Sequence, residues 1–387
     1  MSTLKVAALQ GLSASSDAIT LANDGTCTAN ITNNLSNRNL IINGAMQVAQ
    51  RGTSSTTDGY GSVDRFKIVY GSTDEAPTHA QADVASGTTP YTLGFRKCLK
   101  ITNGNQTGGA GSSDYLYIWT ILEAQDVANS GWNYTSASSY ITISYWVKSS
   151  VAQNFYGVLY TPDGTAQTYV WETGSLSADT WTKITKTIPG NSNIQFDNDD
   201  GAGLYIAPIR CFDGTDRTGS LTLNAWGAYS SSTRTPDQTS TWYTTNDATL
   251  EVTGLQLEVG SVTTDFEHRS YAQELALCQR YCQVYPKSTG DNWGTIFNGY
   301  IGNANWMQGA WTFPEMRSAP SATSSGSFRI LRSNTFDSVS SLGFYHGNRT
   351  SLNVQAVTSV TYSTLGGGAT VSANNDSTAK ITLSAEL

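Results

Sequence analysis

Apolar and polar residues change places at every second position over stretch after stretch of this chain, and that two-residue period limits the fold more than any other feature. In YITISYWVK, the residues Ile141, Ile143, Tyr145 and Val147 fall on one face of an extended strand, and Thr142, Ser144, Trp146 and Lys148 on the other. LTLNAWGAY, Leu221 to Tyr229, and LEVTGLQLEV, Leu250 to Val259, repeat the pattern, with breaks rich in Gly, Pro, Asp and Asn between them. Many short alternating strands predict sheets packed face to face. No repeat of about 20 to 50 residues is evident, which argues against a solenoid or a parallel β-helix.

Composition sharpens this expectation. Charged residues make up 13% of the chain, against roughly a quarter in an average soluble domain, and Ser, Thr, Asn and Gly stand in their place. With 39% hydrophobic and 11% aromatic residues the chain has enough apolar surface for packed cores. A net charge of -8 and the lack of a basic cluster argue against nucleic acid, which is held largely by Lys and Arg on phosphates. The same acidity argues against holding an anionic surface by bulk charge, so adhesion would rest on stacking and hydrogen bonds. No apolar run approaches about 18 residues, so membrane insertion is not expected. The five cysteines, Cys27, Cys98, Cys211, Cys278 and Cys282, are odd in number and scattered. They read as buried thiols rather than a disulfide framework or a zinc site.

The expected class is all-β, in four parts: N-terminal anchor strands over 1–38, a central jelly-roll β-sandwich over 39–266, one linking helix over 267–286, and a C-terminal β-sandwich over 287–387. The first part carries strand-like runs at Leu4 to Leu9, Ile19 to Ala22 and up to Ile31, with an Asn23, Asp24, Gly25 turn. So short a piece needs partner chains to bury a core. The helix begins at Ser270, which forms a capping box with Gln273. Tyr271, Leu275, Cys278, Cys282 and Tyr285 then recur at helical spacing, and Pro286 ends the run. The closing residues AKITLSAEL keep a strand pattern to Leu387.

Three strings carry a resemblance: NLIINGAMQVAQRGT at Asn39 to Thr53, YGSVDRF at Tyr60 to Phe66, and LQLEVGSVTTDFEHRSYAQELALCQRYCQVY at Leu255 to Tyr285. With WTFPEMRSAPS at Trp311 to Ser321, they make the chain resemble tail-fibre and receptor-binding proteins of tailed bacteriophages, especially marine ones. The strings YWVKSS, TWTKITKTIPG, DNDDGAGLYI and LQLEVG, in that order, also resemble carbohydrate-binding-module jelly rolls. The resemblance implies a virion protein of the tail, made in the host cytoplasm. It further implies a homotrimer, attachment to other tail or virion proteins through the N-terminus, and a host surface glycan or lipopolysaccharide as receptor. A head fibre or capsid decoration protein, and a polysaccharide-degrading tailspike, are the competing readings.

No catalytic motif is spelled out. His79, His268 and His346 lie far apart, none in a metalloprotease or serine-hydrolase motif. Glycoside hydrolysis needs only two carboxylates meeting in space, which spacing alone does not address, and the expectation is a non-enzyme. No cofactor is expected beyond a structural calcium at Asp197, Asp199 and Asp200, a set that departs from the EF-hand register. The glycan-binding candidates are Trp293, Tyr300, Trp306, Trp311 and Tyr345 in the last part, and Trp119, Trp146 and Trp226 on polar strand faces of the central part. A ring can pack on a sugar's C–H face while neighbouring amides satisfy hydroxyls. Each of these rings can equally serve a core or a subunit interface.

Overall fold

The computed structural model describes residues 6–10, 19–21, 27–29, 37–214, 221–232, 234–286 and 291–387. Strands β1 (Ala8–Leu9), β2 (Ile19–Leu21) and β3 (Cys27–Ala29) form a small antiparallel sheet. Its pairing of Ile19 with Ala29 and Leu21 with Cys27 is the expected hairpin, whose turn lies outside the described residues.

The central part contains β4 (Ser54–Ser55), β5 (Lys67–Gly71), β6 (Thr78–Asp83), α1 (Thr89–Thr92), β7 (Lys97–Thr102), β8 (Tyr115–Glu123) and α2 (Ala124–Ala128). It continues through β9 (Tyr140–Ser149), β10 (Gln153–Thr161), β11 (Gln167–Leu176), β12 (Thr182–Pro189), β13 (Ala202–Asp213), β14 (Trp226–Ala228), α3 (Thr241–Thr244) and β15 (Thr249–Val259). Two six-stranded sheets result, in the orders β14-β11-β10-β13-β8-β5 and β12-β9-β15-β7-β6-β4. This is the expected all-β, jelly-roll-like sandwich. Ile141, Ile143, Tyr145 and Val147 point into its core, with Trp171, Trp242 and Phe155. The opposite face of β9 is also covered: Thr142 and Ser144 are buried, and the Thr142 hydroxyl donates to the Gly260 carbonyl at 2.8 Å. Strand β14 is much shorter than the alternation of Leu221 to Tyr229 suggests.

The linking helix is shorter than expected. α4 spans Tyr271–Gln279, with the Ser270–Gln273 capping box in place, and the chain then extends as β16 (Cys282–Tyr285). Cys282 and Tyr285, assigned by their spacing to a helical stripe, instead pair with Ser384 and Ile381. Nor is Tyr271 on a packed face, being exposed, whereas Glu274 is buried because the Asn43 amide donates to its carboxylate and Arg269 lies 3.5 Å away. Cys98, Cys211, Cys278 and Cys282 are buried as anticipated.

The last part holds β17 (Thr295–Asn303), β18 (Trp306–Thr312), β19 (Ser321–Ser325), β20 (Phe328–Arg332), β21 (Thr335–Tyr345), β22 (Ser351–Thr358), β23 (Gly368–Ala373) and β24 (Lys380–Ser384). Here an open sandwich gives way to a closed six-stranded barrel, in the order β17-β18-β22-β21-β20-β23, beside a three-stranded sheet β16-β24-β19. Strands β17 and β18 approach closely at their glycines. Gly299 and Gly309 meet at the point of closest approach, where a Cβ on Gly299 would lie 2.1 Å from the Gln308 carbonyl oxygen. Phe297, Ile301, Met307, Trp311, Val354 and Val371 fill the interior.

Candidate functional site

Four neighbouring barrel strands, β17, β18, β22 and β21, share a stretch of outer face. Register sets Tyr300 opposite Gln308, Gln308 opposite Gln355, and Gln355 opposite Gly343. The next row runs from Ala310 through Asn353 to Tyr345. The intervening Ile301, Met307 and Val354 point inward and are buried, so strand alternation turns these two rows outward.

A depression of about 510 Å³ lies between Tyr300 and Tyr345, floored by Gln308, Asn353 and Gln355 and reached by His346. The two tyrosines are 45% and 50% exposed. Gln308 Nε2 donates to the Tyr300 hydroxyl, and the Tyr345 hydroxyl lies 3.5 Å from Gln355 Oε1. Tyr345 folds back across the sheet because residue 343 is glycine. A Cβ there would come 2.5 Å from the Tyr345 hydroxyl oxygen. No carboxylate, ammonium or guanidinium is among the lining groups. Two ring faces flanking side-chain amides suit a neutral, hydroxyl-rich ligand, with rings packing on C–H and amides both donating and accepting.

The other candidates are distributed differently. Trp311 is 6% exposed and packs on Tyr285, Phe297 and Phe313; it is a core residue, because it shares a strand face with Met307. Trp306 is half-buried and lies over Gly302, where a Cβ would meet its ring at 2.2 Å. Trp293 is exposed elsewhere on the barrel, with the Arg329 guanidinium 4.1 Å from its ring centre and equally close to Phe336. In the sandwich, Trp119 is wedged edge-on between Tyr117 and Tyr205, under Arg210. Trp146 packs against the cluster of Ala45, Val84, Phe95 and Cys98. Trp226 sits on the sheet edge. Gln308, Asn353, Gln355 and His346 had no place among the sequence candidates. For Gln308, Asn353 and Gln355 the signal was alternation with the buried Met307, Leu352, Val354 and Ala356; His346 follows the end of β21 and had no such signal.

The acidic cluster proposed for calcium has another use. Asp200 pairs with Arg349, and its carbonyl accepts from Arg317 at 2.8 Å. Asp199 Oδ1 accepts from the Gly201 amide at 2.9 Å, and the Asp197 amide donates to Asp163. Through Asp200 the loop ties sandwich to barrel, and of the three carboxylates only that one pairs with an arginine among the described residues.

The long distinctive strings converge at the same junction. Arg51 and Arg65 both reach Glu386, and the Arg65 guanidinium lies 3.4 Å from the centre of the Tyr281 ring. Arg280 grips Glu123 through two contacts of 2.7 Å, and the Tyr281 hydroxyl donates to the same carboxylate. Burial opposes ionisation of Glu123, but hydrogen bonds from Arg280, Tyr281 and Gln125 outweigh it and hold the carboxyl below its ordinary value. Asp64 accepts from the Gln50 amide at 2.9 Å and from its side chain at 2.6 Å. Burial still raises its pKa to about 6. Arg269 donates to the carbonyls of Ile41 and Asn39, closing the first string onto the last.

No family model and no curated protein matches the chain. Among solved structures it is similar to the enzymatically active domain of tailspike protein 4 of bacteriophage CBA120, at 7% identity over 58% of this chain and 22% of that one, with a TM-score of 0.31. It is also similar to the N-terminal cellulose-binding domain of β-1,4-glucanase C from Cellulomonas fimi, at 13% identity, 56% and 99% coverage and a TM-score of 0.25. A family 11 carbohydrate-binding module from Clostridium thermocellum gives 11% identity, 55% and 98% coverage and a TM-score of 0.24. The chain thus spans about a fifth of the tailspike chain. At these TM-scores the likenesses carry no argument about ligand, and the reading below rests on the chain's own residues.

Charge is divided between the two large parts. After residue 286 the sequence has six Lys and Arg against five Asp and Glu, with sixteen and twenty-five before it. The last part is therefore close to neutral at +1, and the chain ahead of it carries -9, which together give the net charge of -8.

Proposed function

We propose that this chain is a tail-fibre or receptor-binding protein of a tailed bacteriophage, which attaches the virion to a glycan or lipopolysaccharide on the host surface. The observation that carries the reading is the uncharged depression between Tyr300 and Tyr345, floored by Gln308, Asn353 and Gln355. The near-neutral barrel supports it, since an acidic one would be repelled by an anionic envelope. In this reading the barrel is the receptor end, and the N-terminal strands hold the chain to other virion proteins.

The working form in this proposal is a homotrimer. Val6, Leu9 and Leu21 are exposed on a sheet of very short strands, which calls for neighbours to cover them. Three linked weak sites also raise avidity by roughly 10²–10⁴ without new contacts. Adhesion without cleavage is favoured because no carboxylate lines the barrel depression, where hydrolysis of a glycosidic bond would need two.

A glycan array with the purified chain tests the reading, with the double variant Tyr300→Ala/Tyr345→Ala as control. Binding to a defined glycan set that disappears in the variant is the expected outcome. Undiminished binding by the variant would refute the barrel site. Release of reducing ends from host polysaccharide would replace adhesion by hydrolysis, and a monomer mass by light scattering would remove the trimer.

A further inference from the structure

A second cavity opens at the edge of the sandwich. Among the described residues, strand β14 is outermost in its sheet and pairs with β11 alone, Trp226 facing Tyr169 and Gly227 facing Thr168. Beside it lies a hollow of about 340 Å³ whose wall includes Thr165, Gln167, Asn193, Gln195, Trp226 and Gly227. The indole is fixed in place: Trp226 Nε1 donates to the Pro189 carbonyl at 2.7 Å, and Tyr169 backs the ring with centroids 5.4 Å apart. Gln167 is buried and anchored through Nε2 to the carbonyls of Thr165 and Ala166. Ala228, opposite Gln167, turns to the same face as Trp226 and completes the wall, with the Gly227 main chain between them.

One pinned ring, three side-chain amides and a hydroxyl around an open strand edge form a constellation that meets the C–H face and hydroxyls of a pyranose. Its charge surroundings narrow the ligand. No basic group lines the hollow. Gln195 Nε2 lies 3.5 Å from the Asp197 carboxylate, and the Asp197 amide donates to the Asp163 carboxylate at 3.0 Å. Two acids at the rim repel a uronate or a phosphorylated sugar.

We infer that the sandwich carries a second saccharide site at Trp226 and Gly227, selective for a neutral pyranose and separate from the barrel depression. The inference rests on the glycan-binding reading of the chain but not on the barrel site. Each chain then holds two sugar sites on separate modules, so one polysaccharide or two neighbouring strands can be held at both.

The test is a titration of the full isotope-labelled chain with neutral hexasaccharides (cello-, malto-, chito- and laminarihexaose) and with oligogalacturonate, followed at the Trp226 indole resonance assigned from Trp226→Phe. The expected result is a saturable shift with at least one neutral probe and none with the uronate. Ala228→Leu, which adds bulk on the face of β14 that carries Trp226, should abolish that shift or weaken the apparent Kd by about tenfold. Tyr300→Ala/Tyr345→Ala should leave it unchanged. No shift with any neutral probe, a shift that survives Ala228→Leu, or a preference for the uronate would each overturn the edge site. A response at Trp226 with none around Tyr345 would keep the edge site and sink the barrel reading, and the reverse pattern would do the opposite.

Discussion

The junction between sandwich and barrel and the outer face of the barrel are made of opposite materials. At the junction Arg51, Arg65, Glu123, Arg280 and Glu386 are charged, enclosed and paired. On the barrel face Tyr300, Gln308, Tyr345, Asn353 and Gln355 are uncharged and line an open hollow. A buried charge must be matched by a partner held in one geometry, so the junction demands particular residues at many positions. A sugar-sized depression asks only for a ring and a few amides. The most distinctive strings of the sequence therefore mark how the molecule is put together, and its candidate contact surface is written in common residues.

The comparison breaks or sharpens under substitution. The largest effects belong to enclosed groups: Trp311→Ala, which empties part of the barrel core, and Arg65→Ala, which removes one of the two arginines on Glu386 and the cation over the Tyr281 ring, should each cost about 3–5 kcal/mol in chemical denaturation. A loss below about 1 kcal/mol at Arg65 would mean that the junction is not a closed ionic unit.

Next comes acidity at Asp64. Its folded pKa of about 6 lies above the ordinary aspartate value of 3.8, so the folded state takes up a proton more readily than the unfolded chain. The carboxyl's contribution to stability is then greatest below the unfolded value and declines as pH rises toward about 6. Relative to Asp64→Asn, the native chain should gain on the order of 2 kcal/mol between pH 7 and pH 4, measured by urea titration at each pH. Parallel curves for the two proteins would contradict this assignment.

On the barrel face the effects on folding shrink and those on binding take over. Tyr345→Ala should change stability by less than about 0.5 kcal/mol while lowering affinity for an array-positive glycan by up to about tenfold. The smallest change to the fold is expected from Gly343→Val, which touches the Tyr345 ring rather than the backbone. It should reproduce the binding loss of Tyr345→Ala, and intact binding would show that the tyrosine need not lie across the sheet.

Local patterns made part of this legible. The two faces of Ile141 to Lys148 and the Ser270–Gln273 cap were readable because both depend on residues a few positions apart. The end of the helix was not, because Cys282 to Tyr285 are drawn into a strand by Lys380 to Ser384, about a hundred positions away. Barrel closure was hidden for the same reason, resting on the pairing of β17 with β23. Trp311 was misread among the ligand-facing rings although its spacing of four from Met307 put both on one face. Tyr300 and Tyr345 were picked out, but their shared location depends on a register that no local window contains.

The uneven sharing of charge gives the molecule a preferred heading. Close to a negatively charged envelope, within a Debye length of about 8 Å at physiological salt, the acidic sandwich is pushed outward harder than the almost neutral barrel. Under the proposed adhesion to such a surface, the resulting torque would turn the barrel toward it. Raising the salt concentration would weaken this alignment, while ring and amide contacts at the depression would persist.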